Sequence, residues 1–248
     1  MLFFKKKNRY SNPGKIVVAE GLNSGSSEGY NRIRDNVLYM NADGNTKVIQ
    51  VESSVSSEGK TTLVSNLAVS LGLTDKKVVL VDLDFRRPAV HRIFNLSKDT
   101  GIAEYIIGDA KIEDIVKPTE YNNVSVITRG AEIHNSSLVF VSEKFKSLIA
   151  KLREEYDYVL LDCAPVLQVS DYIHISKVAD GVLFAVAYAS TTKAQASEAI
   201  KELKKNGANV LGSVFTMYDK KKDGNYNAHG RYYYSYYNHN ENQEKTDD

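Results

Sequence analysis

The chain has 248 residues, of which 42% are hydrophobic and 25% are charged, and its formal net charge is +1. This composition is typical of a globular protein, and the near-neutral charge gives no indication of nucleic-acid binding. A single cysteine excludes an intramolecular disulfide and fits a reducing compartment, and no apolar run approaches the ~20 residues that span a bilayer.

We expect residues 1–25 to form a flexible segment. It opens with apolar residues followed by Lys5, Lys6 and Lys7, which either contact an anionic membrane surface or form a solvated terminus; the second interpretation is slightly favoured. A short extended piece is possible at residues 16–19. Ser26 or Ser27 is then predicted to cap a helix over residues 28–40.

The segment from residue 47 to residue 62 predicts a strand, a loop and the start of a helix. Val48, Ile49 and Val51 suit a buried strand. A small polar loop follows, and a helical apolar pattern runs from residue 63 to residue 73. A loop that ends at a helix N-terminus directs free N–H groups toward one point, which predicts a phosphate site. The predicted binding residues are Ser56, Ser57, Glu58, Gly59, Lys60, Thr61 and Thr62.

In this phosphate loop, Lys60 is expected to reach the β and γ phosphates, and the Thr61 hydroxyl is expected to bind Mg²⁺. Ser54 stands where the motif usually has its first glycine. An ordinary Ser-rich turn before a helix is the alternative, and we consider it much weaker because the strand–loop–helix context is present.

Two further apolar strands end in aspartate. The first covers residues 77–83, with Asp82 near its end and Asp84 directly after it. The second covers residues 158–162 and ends at Asp162. Ligands of parallel sheets bind beyond the carboxyl ends of the strands. Carboxylates placed together there repel unless a cation lies between them, and Mg²⁺ with bound phosphate supplies that cation. The alternative is a helix N-cap beside a solvated acid.

The rest of the pattern alternates strands with helices, which predicts one doubly wound, mostly parallel α/β sheet with helices on both faces. Cys163 is expected to be a small buried hydrophobe. Further helices are predicted at residues 91–94, 102–107, 112–116, 141–156 and 193–206, and further strands at residues 124–127, 181–187 and 210–215.

The composition changes after Tyr218. Residues 219–248 contain almost no aliphatic side chains, so this tail is expected to be disordered. We therefore predict a compact domain over residues 26–218. The tail contains a cluster of five tyrosines, namely Tyr232, Tyr233, Tyr234, Tyr236 and Tyr237.

The phosphate loop, the two aspartate-ending strands and the tyrosine cluster occur in the order found in the bacterial protein-tyrosine kinases of capsule and exopolysaccharide synthesis, and the chain resembles that family over about residues 26–237. The resemblance implies a P-loop kinase of the kinase-only type that uses ATP and Mg²⁺. It assigns proton acceptance to Asp82 and Mg²⁺ binding to Thr61, Asp84 and Asp162, and it places Arg86 in the catalytic acidic motif.

The resemblance also implies the biological setting. The five tail tyrosines match the phosphoacceptors of the family, and Glu28 and Arg34 match residues that it uses to form rings. A separate transmembrane activator (a polysaccharide co-polymerase) and a cognate tyrosine phosphatase are the implied partners. The chain is then expected to be cytoplasmic, with recruitment to the inner face of the membrane.

The chain departs from the family pattern at several positions. Asn31 replaces the first arginine of the ring-forming helix, Ser56 and Ala164 replace prolines, Ser136 stands where an Asn–Pro pair is often found, and Thr216 replaces an asparagine expected near the adenine. Two alternatives therefore stay open. One is an ATP-gated scaffold of the export machinery, and the other is a partitioning-type ATPase, which Val55 disfavours because such proteins carry a second lysine there.

Overall fold

The computed structural model describes residues 14–19, 25–133, 135–188 and 190–218. The strands are β1 Val48–Ser53, β2 Val78–Asp82, β3 Val116–Pro118, β4 Val124–Ile127, β5 Tyr158–Asp162, β6 Gly181–Ala187 and β7 Val210–Thr216. The helices are α1 Gly25–Met40, α2 Lys60–Gly72, α3 Val90–Ile93, α4 Ile102–Ile107, α5 Ile112–Ile115, α6 Ser136–Val141, α7 Glu143–Glu155, α8 Tyr172–Ile175 and α9 Lys193–Lys205.

The strands form a single sheet in the order β3-β4-β2-β5-β1-β6-β7, and all neighbours are parallel except the edge pair β3 and β4. This confirms the predicted fold class. The central strands β2, β5 and β1 are completely buried, as expected for continuously apolar strands covered on both faces. Their carboxyl ends lie at one edge, where Asp82 pairs in register with Asp162.

Helices cover both faces of the sheet. On one face, buried residues of α1 and α2 such as Val37 and Leu67 pack against Leu80 of β2. On the other face, α7 buries one apolar stripe, formed by Phe145, Leu148, Ile149 and Leu152. Residues of one strand therefore alternate between two cores, which fixes the direction in which each polar residue at a strand end points.

Two predictions near the start of the chain are wrong. Helix α1 begins at Gly25, so Ser26 and Ser27 lie inside the helix rather than at its cap. Residues 16–19 form no strand. Instead, the backbone N–H of Val17 donates to the Oδ1 of buried Asn66 at 2.8 Å, and the Asn66 amide donates to the Lys15 carbonyl at 2.8 Å. A side chain of α2 thus satisfies backbone groups that a strand would have paired.

The predicted helix over residues 141–156 is α7, which begins two residues later at Glu143, and the preceding helix α6 was not predicted. Helix α6 ends at Val141, and the Ser142 hydroxyl accepts a hydrogen bond from the Phe145 N–H at 3.2 Å to cap α7. The break at Ser142 lets the ring of Phe140 lie edge-on against that of Phe145, with centroids 5.3 Å apart. The short elements β3 and α8 carry too few residues for a sequence pattern and were not predicted.

The compact unit of the chain ends at Thr216, and a second unit begins at Met217. The tyrosine cluster and almost all of residues 1–25 lie outside the described residues, so the predicted domain boundaries stay predictions. Within the described ranges, no helix combines the length and apolar character needed to cross a bilayer.

Candidate functional site

The predicted phosphate loop joins the carboxyl end of β1 to the first turn of α2. Ser57 and Gly59 both adopt left-handed backbone conformations, with φ of 67° and 81°. Such a conformation costs a glycine little, but it is uncommon for a serine. Gly59 is the residue from which α2 begins, and the first N–H groups of a helix have no partner within it. The geometry is therefore that of an anion site at a helix N-terminus.

Glu58 holds this loop from within. The carboxylate of this buried residue accepts hydrogen bonds from the Val55 N–H at 2.9 Å and from the Thr191 hydroxyl, while its carbonyl accepts one from the Thr216 hydroxyl at 2.6 Å. Thr191 follows β6 and Thr216 ends β7, so both are distant in sequence from the loop. Glu58 and Thr216 were predicted to bind nucleotide; the contacts seen here are structural, and a nucleotide role for either stays a prediction.

The chain after β5 supports the other side of the loop. The N–H groups of Val166 and Leu167 donate to the carbonyls of Ser53 and Ser54 at 2.9 and 3.1 Å, and the Gln168 amide approaches the Ser56 hydroxyl at 3.4 Å. Ser54, which replaces the usual glycine, is fully buried. The loop therefore reaches its shape through contacts with two other segments.

The carboxylates predicted at the strand ends do converge beside the loop. Asp82 and Asp162 are adjacent on neighbouring strands, both are completely buried, and Lys60 is only 6% exposed. Asp84, also buried, acts electrostatically on both aspartates, and Lys60 acts on Asp162. The structure thus brings together the four side chains on which the predicted site depends.

Asp82 has one occupied and one free oxygen. Its Oδ2 accepts hydrogen bonds from the N–H groups of Ala89 and Val90 at 3.1 and 3.2 Å, so the helix-cap alternative describes half of its role. Its Oδ1 is buried and has no partner among the described residues. Burial, with the charges of Asp162 and Asp84, raises the pKa of Asp82 well above its usual value. When Asp82 is ionised, this free oxygen can therefore accept a proton.

Asp162 is less satisfied still. Both of its oxygens are buried without a partner of full hydrogen-bond geometry in the described part of the chain. Burial raises its pKa to about 7, although Lys60 and the Thr61 hydroxyl act to lower it. A buried ionised carboxylate without partners is costly, and a cation removes most of that cost.

These orphaned oxygens fit a divalent cation, because hard cations prefer carboxylate oxygens and carboxylates this close need a positive charge between them. No three His, Cys, Asp or Glu side chains of the described residues form a complete metal centre by themselves. The donor set of Thr61, Asp84 and Asp162 therefore suits Mg²⁺ that takes its remaining ligands from water and phosphate, as Mg²⁺ usually does.

The segment after Asp84 turns sharply. The Asp84 Oδ1 accepts a hydrogen bond from the Arg87 N–H at 2.9 Å, and the Arg129 guanidinium donates to the Phe85 carbonyl at 3.1 Å. Asp84 lies beyond the end of β2, so the predicted extended arrangement of Asp82 and Asp84 holds only up to Asp82. Arg86, predicted to be catalytic, is exposed beside this turn.

Glu52 is a site residue that the sequence analysis missed. It lies on β1 just before the loop and is completely buried; its Oε1 accepts a hydrogen bond from the Gln50 amide at 2.6 Å, and its Oε2 has no partner among the described residues. Burial raises its pKa to about 8, and it interacts with both Lys60 and Asp162. A single acid inside an apolar strand was the available signal. Cys163 beside it is fully buried, which confirms the prediction for that residue.

The predicted ring-forming residues lie on α1 but do not pair with each other. Glu28 pairs with Arg32 at 3.1 Å, and Arg34 pairs with Asp35 at 2.8 Å. Asn31, which stands where the family has an arginine, accepts a hydrogen bond from the Ser70 hydroxyl of α2 at 3.0 Å. This face of α1 is therefore partly committed to contacts within the chain, and ring formation through Glu28 and Arg34 stays a prediction.

Comparisons with known proteins agree with this geometry. A family model described as an AAA domain matches residues 46–212. Tyrosine-protein kinase YwqD of Bacillus subtilis (strain 168) is 31% identical over 229 residues, which cover 91% of this chain and 95% of that protein.

Solved structures extend the likeness. The crystal structure of the chimerical protein CapA2B2 matches with a TM-score of 0.79 at 28% identity, covering 84% of this chain and 94% of that one. The septum site-determining protein MinD of Pyrococcus horikoshii OT3, complexed with Mg-ADP, matches with a TM-score of 0.61 at 25% identity and covers 71% and 72%. The fold therefore recurs both in the chimerical protein CapA2B2 and in a protein solved with bound Mg-ADP.

Proposed function

We infer the function of this chain from its membership of the bacterial tyrosine-protein kinases, whose AAA domain it carries: it transfers the γ-phosphoryl group of ATP to protein tyrosine. The observation that carries this inference is the convergence of Lys60, Asp82, Asp84 and Asp162 beside the phosphate loop. Phosphoryl transfer needs positioning and charge stabilisation more than covalent help, and this site offers both.

The loop and its lysine hold the nucleotide. The N–H groups at the start of α2 and the Lys60 ammonium bind the phosphate oxygens, and Glu58 keeps the loop in shape before ATP arrives. Thr61, Asp84 and Asp162 would hold Mg²⁺, which would neutralise the charge on the phosphates. Ser56, Ser57 and Thr62 would complete the nucleotide contacts, and Thr216 is assigned to contact with the base.

Asp82 accepts the proton of the attacking hydroxyl. An unperturbed tyrosine has a pKa of about 10, so a nearby base assists its ionisation at neutral pH. The proton passes from the tyrosine Oη to the free Oδ1 of Asp82. The Oη then bonds to the γ phosphorus, and the bond from that phosphorus to the β–γ bridging oxygen breaks to release ADP. Arg86 lies beside the turn that follows Asp84 and stabilises charge on the transferred phosphoryl group.

The tail supplies the acceptor tyrosines. We propose that neighbouring copies phosphorylate Tyr232, Tyr233, Tyr234, Tyr236 and Tyr237 in trans within a ring formed through Glu28 and Arg34. The process regulates capsular or exopolysaccharide synthesis and export. A separate transmembrane activator recruits the chain to the inner face of the membrane, and a cognate tyrosine phosphatase reverses the reaction. Each added phosphate brings about −1.5 to −2 charges, so a fully phosphorylated tail is repelled by the acidic site and the ring loosens.

The experiment is an anti-phosphotyrosine blot with Mg-ATP on the wild type, on Lys60→Met and on a chain ended after Tyr218, with and without an activator's cytoplasmic peptide. Only the wild type should give a signal. Mixing the two variants then tests transfer in trans, because the ended chain has an intact Lys60 and the Lys60→Met chain has the tyrosines. A signal in Lys60→Met alone, or none in the mixture when the wild type is active, contradicts the proposal.

An ATP-gated scaffold is the second candidate. The specific observation in its favour is that the Thr216 hydroxyl donates to the Glu58 carbonyl, so this replacement for the expected asparagine holds the loop. It predicts nucleotide binding without phosphotyrosine in any of the samples above. The partitioning-type ATPase is disfavoured, because Val55 provides only its N–H to the loop where those proteins carry a lysine.

A further inference from the structure

A group of cations lies next to the site and takes no part in the mechanism above. We define it as the basic cluster, formed by His91, Arg92, Lys98, Lys117 and Arg129. The four cations all act electrostatically on His91, which shows that they share one small region. Arg92 and Lys98 are exposed, and the other three are partly buried. The cluster therefore faces solvent without being scattered over the surface.

Hydrogen bonds hold the cluster together. The Lys117 ammonium of β3 donates to the Ser97 carbonyl at 2.6 Å and to the Thr128 hydroxyl at 2.9 Å. The next residue, Arg129, is tied to the Phe85 carbonyl, and the chain from His91 turns back through a bond from the Leu96 N–H to the His91 carbonyl at 2.8 Å. These contacts place the Lys117 and Arg129 side chains before any ligand binds.

The positive charge of the cluster is not neutralised within the described residues, where none of its members forms a salt bridge. Two acids, Asp99 and Glu104, act electrostatically on Lys117 without forming a salt bridge with it. Both are already engaged, Asp99 with the Ser97 hydroxyl at 2.6 Å and Glu104 with the Gly101 N–H at 2.7 Å. A concentration of unpaired cations on one surface is the usual mark of an anionic partner.

The cluster adjoins the residue proposed to accept the tyrosine proton. Asp82 accepts a hydrogen bond from the Val90 N–H at 3.2 Å, and His91 is the next residue. On the other side, Val81 pairs in register with Ile127, the last residue of the strand beside β2, where neighbouring strands lie about 5 Å apart, and Arg129 is two residues beyond Ile127. An anion bound here lies close to a tyrosine at Asp82.

We propose that the basic cluster binds acidic residues on the C-terminal side of the target tyrosine, and that its occupant is residues 238–248 of another copy of this chain. The inference rests on the proposed kinase function and specifies its substrate. This segment follows the tyrosine cluster and contains Glu241, Glu244, Asp247 and Asp248 against one lysine. Its negative charge complements the cluster, and complementary charge sets encounter and register.

The spacing allows both contacts at once. Glu241 lies four residues after Tyr237, which an extended chain spans in about 13 Å. The later acids reach further, so a tyrosine can lie at Asp82 while the residues after it cross the cluster. Tyrosines earlier in the run move into the same position by a shift of the chain along these cations.

The test is binding of a fluorescent peptide of residues 231–248 to the full chain, measured by anisotropy. The kinase carries Lys60→Met to prevent turnover and E241Q, E244Q, D247N and D248N so that its own tail does not compete. We compare R92Q/K98Q with K201Q/K204Q, a matched pair of exposed lysines on α9 at the opposite edge of the sheet. Arg92 and Lys98 form no hydrogen bond or salt bridge through their side chains in the described contacts, so the fold should survive.

Peptide binding should weaken about fivefold in R92Q/K98Q and remain unchanged in K201Q/K204Q. A peptide with its four acids neutralised should bind the unsubstituted cluster about as weakly as the normal peptide binds R92Q/K98Q. Added salt should reduce these differences. Equal binding by both double variants, or by both peptides, overturns the proposal. Recognition of the phosphorylated peptide alone also overturns it, since the ligand is then phosphotyrosine. In the wild-type catalytic background, R92Q/K98Q should raise KM for the peptide and leave kcat unchanged.

This outcome is separable from the fate of the proposed function. Peptide binding that depends on the cluster, without phosphate transfer by the chain with intact Lys60, supports the docking surface and contradicts the kinase. Transfer that is insensitive to R92Q/K98Q supports the kinase and removes the docking surface.

Discussion

The phosphate loop and the carboxylates beneath it are built on opposite principles. In the loop, the oxygens of Glu58 accept hydrogen bonds from Val55, Thr191 and Thr216. A few ångströms along the same strand ends, oxygens of Glu52, Asp82 and Asp162 are buried and unpartnered within the described chain. One part of the site is complete as it stands, and the other is incomplete.

The difference separates two tasks. The loop has to present N–H groups in one fixed arrangement, and prior hydrogen bonding removes the entropy cost of ordering it when ATP binds. The acids instead hold electrostatic free energy that a cation releases, because buried like charges without partners oppose folding. Loop substitutions should therefore cost stability, whereas acid substitutions should cost function and spare or improve stability.

The largest expected effect comes from Asp162→Asn. Losing this carboxylate should lower the rate of tyrosine phosphorylation roughly 10²- to 10³-fold, the range found when one preorganised electrostatic contact is removed. The same substitution should leave the free energy of unfolding at pH 8 unchanged or higher, since it removes a buried unpaired charge. Kinase assays and urea unfolding measure the two quantities. An Asn variant that is clearly less stable than the wild type would show that Asp162 is satisfied in the folded protein.

Mg²⁺ bound together with ADP should stabilise the protein through the buried acids. Mg-ADP at 100 times its Kd should raise the free energy of unfolding by about 2.7 kcal/mol. ADP with a chelator should give a smaller increase, because the loop is still bound but the acids remain unpaired. In Asp162→Asn the difference between the two conditions should nearly vanish, whereas K201Q/K204Q should retain it. If Mg²⁺ adds as much to the free energy of unfolding in the Asn variant as in the wild type, Asp162 does not bind the metal.

Glu52 makes the pH dependence of stability testable. Its pKa in the folded protein is about 8, above the ordinary 4.5, so between these values the folded chain binds a proton that the unfolded chain has lost. Stability present below pH 4.5 should be lost as pH rises through 8, by about 1.4 kcal/mol per pH unit. Glu52→Gln should flatten the profile in urea unfolding from pH 5 to pH 8. The slope will not reach zero, since Asp82 and Asp162 contribute with the same sign.

The smallest effect should come from the loop. Thr191→Val removes the hydrogen bond to the Glu58 carboxylate and the one that the Thr191 hydroxyl accepts from the Ala187 N–H, and should cost about 2 kcal/mol in the free energy of unfolding, with weaker nucleotide binding. Thr192→Val is a poor comparison, because Thr192 caps α9. Thr119→Val provides the control for stability alone, because it also removes a hydrogen-bonded hydroxyl but lies beside β4, away from the loop. Equal nucleotide affinity in the Thr191 and Thr119 variants means that the hydrogen bond between Thr191 and Glu58 does not shape the loop.

The sequence was sufficient for the central strands, α2, the fold class and the positions of Lys60, Asp82 and Asp162, because apolar runs that end in acids locate the carboxyl edge of a parallel sheet. It could not indicate that Glu58 meets Thr191 and Thr216, since 133 and 158 residues separate it from those partners. Nor could it predict the ionisation of Glu52, which depends on complete burial.

The helix errors have a similar origin. The helix predicted over residues 141–156 starts two residues too early, because Val141 closes α6 and the break at Ser142 is set by the Ser142 cap and by the packing of Phe140 on Phe145. Asn66 likewise takes the place of a strand partner for Val17 through a contact 49 residues away. Local patterns predict elements, and distant side chains decide where those elements end.

The strand order has a consequence for synthesis of the chain. β5 lies between β1 and β2, although it emerges from the ribosome more than 75 residues after both. Before residues 158–162 appear, the strand that carries the phosphate loop and the strand that carries Asp82 have no shared border. Inserting β5 joins them and delivers Asp162 in the same step, so a nascent chain gains the full set of strand-end aspartates only when β5 is in place.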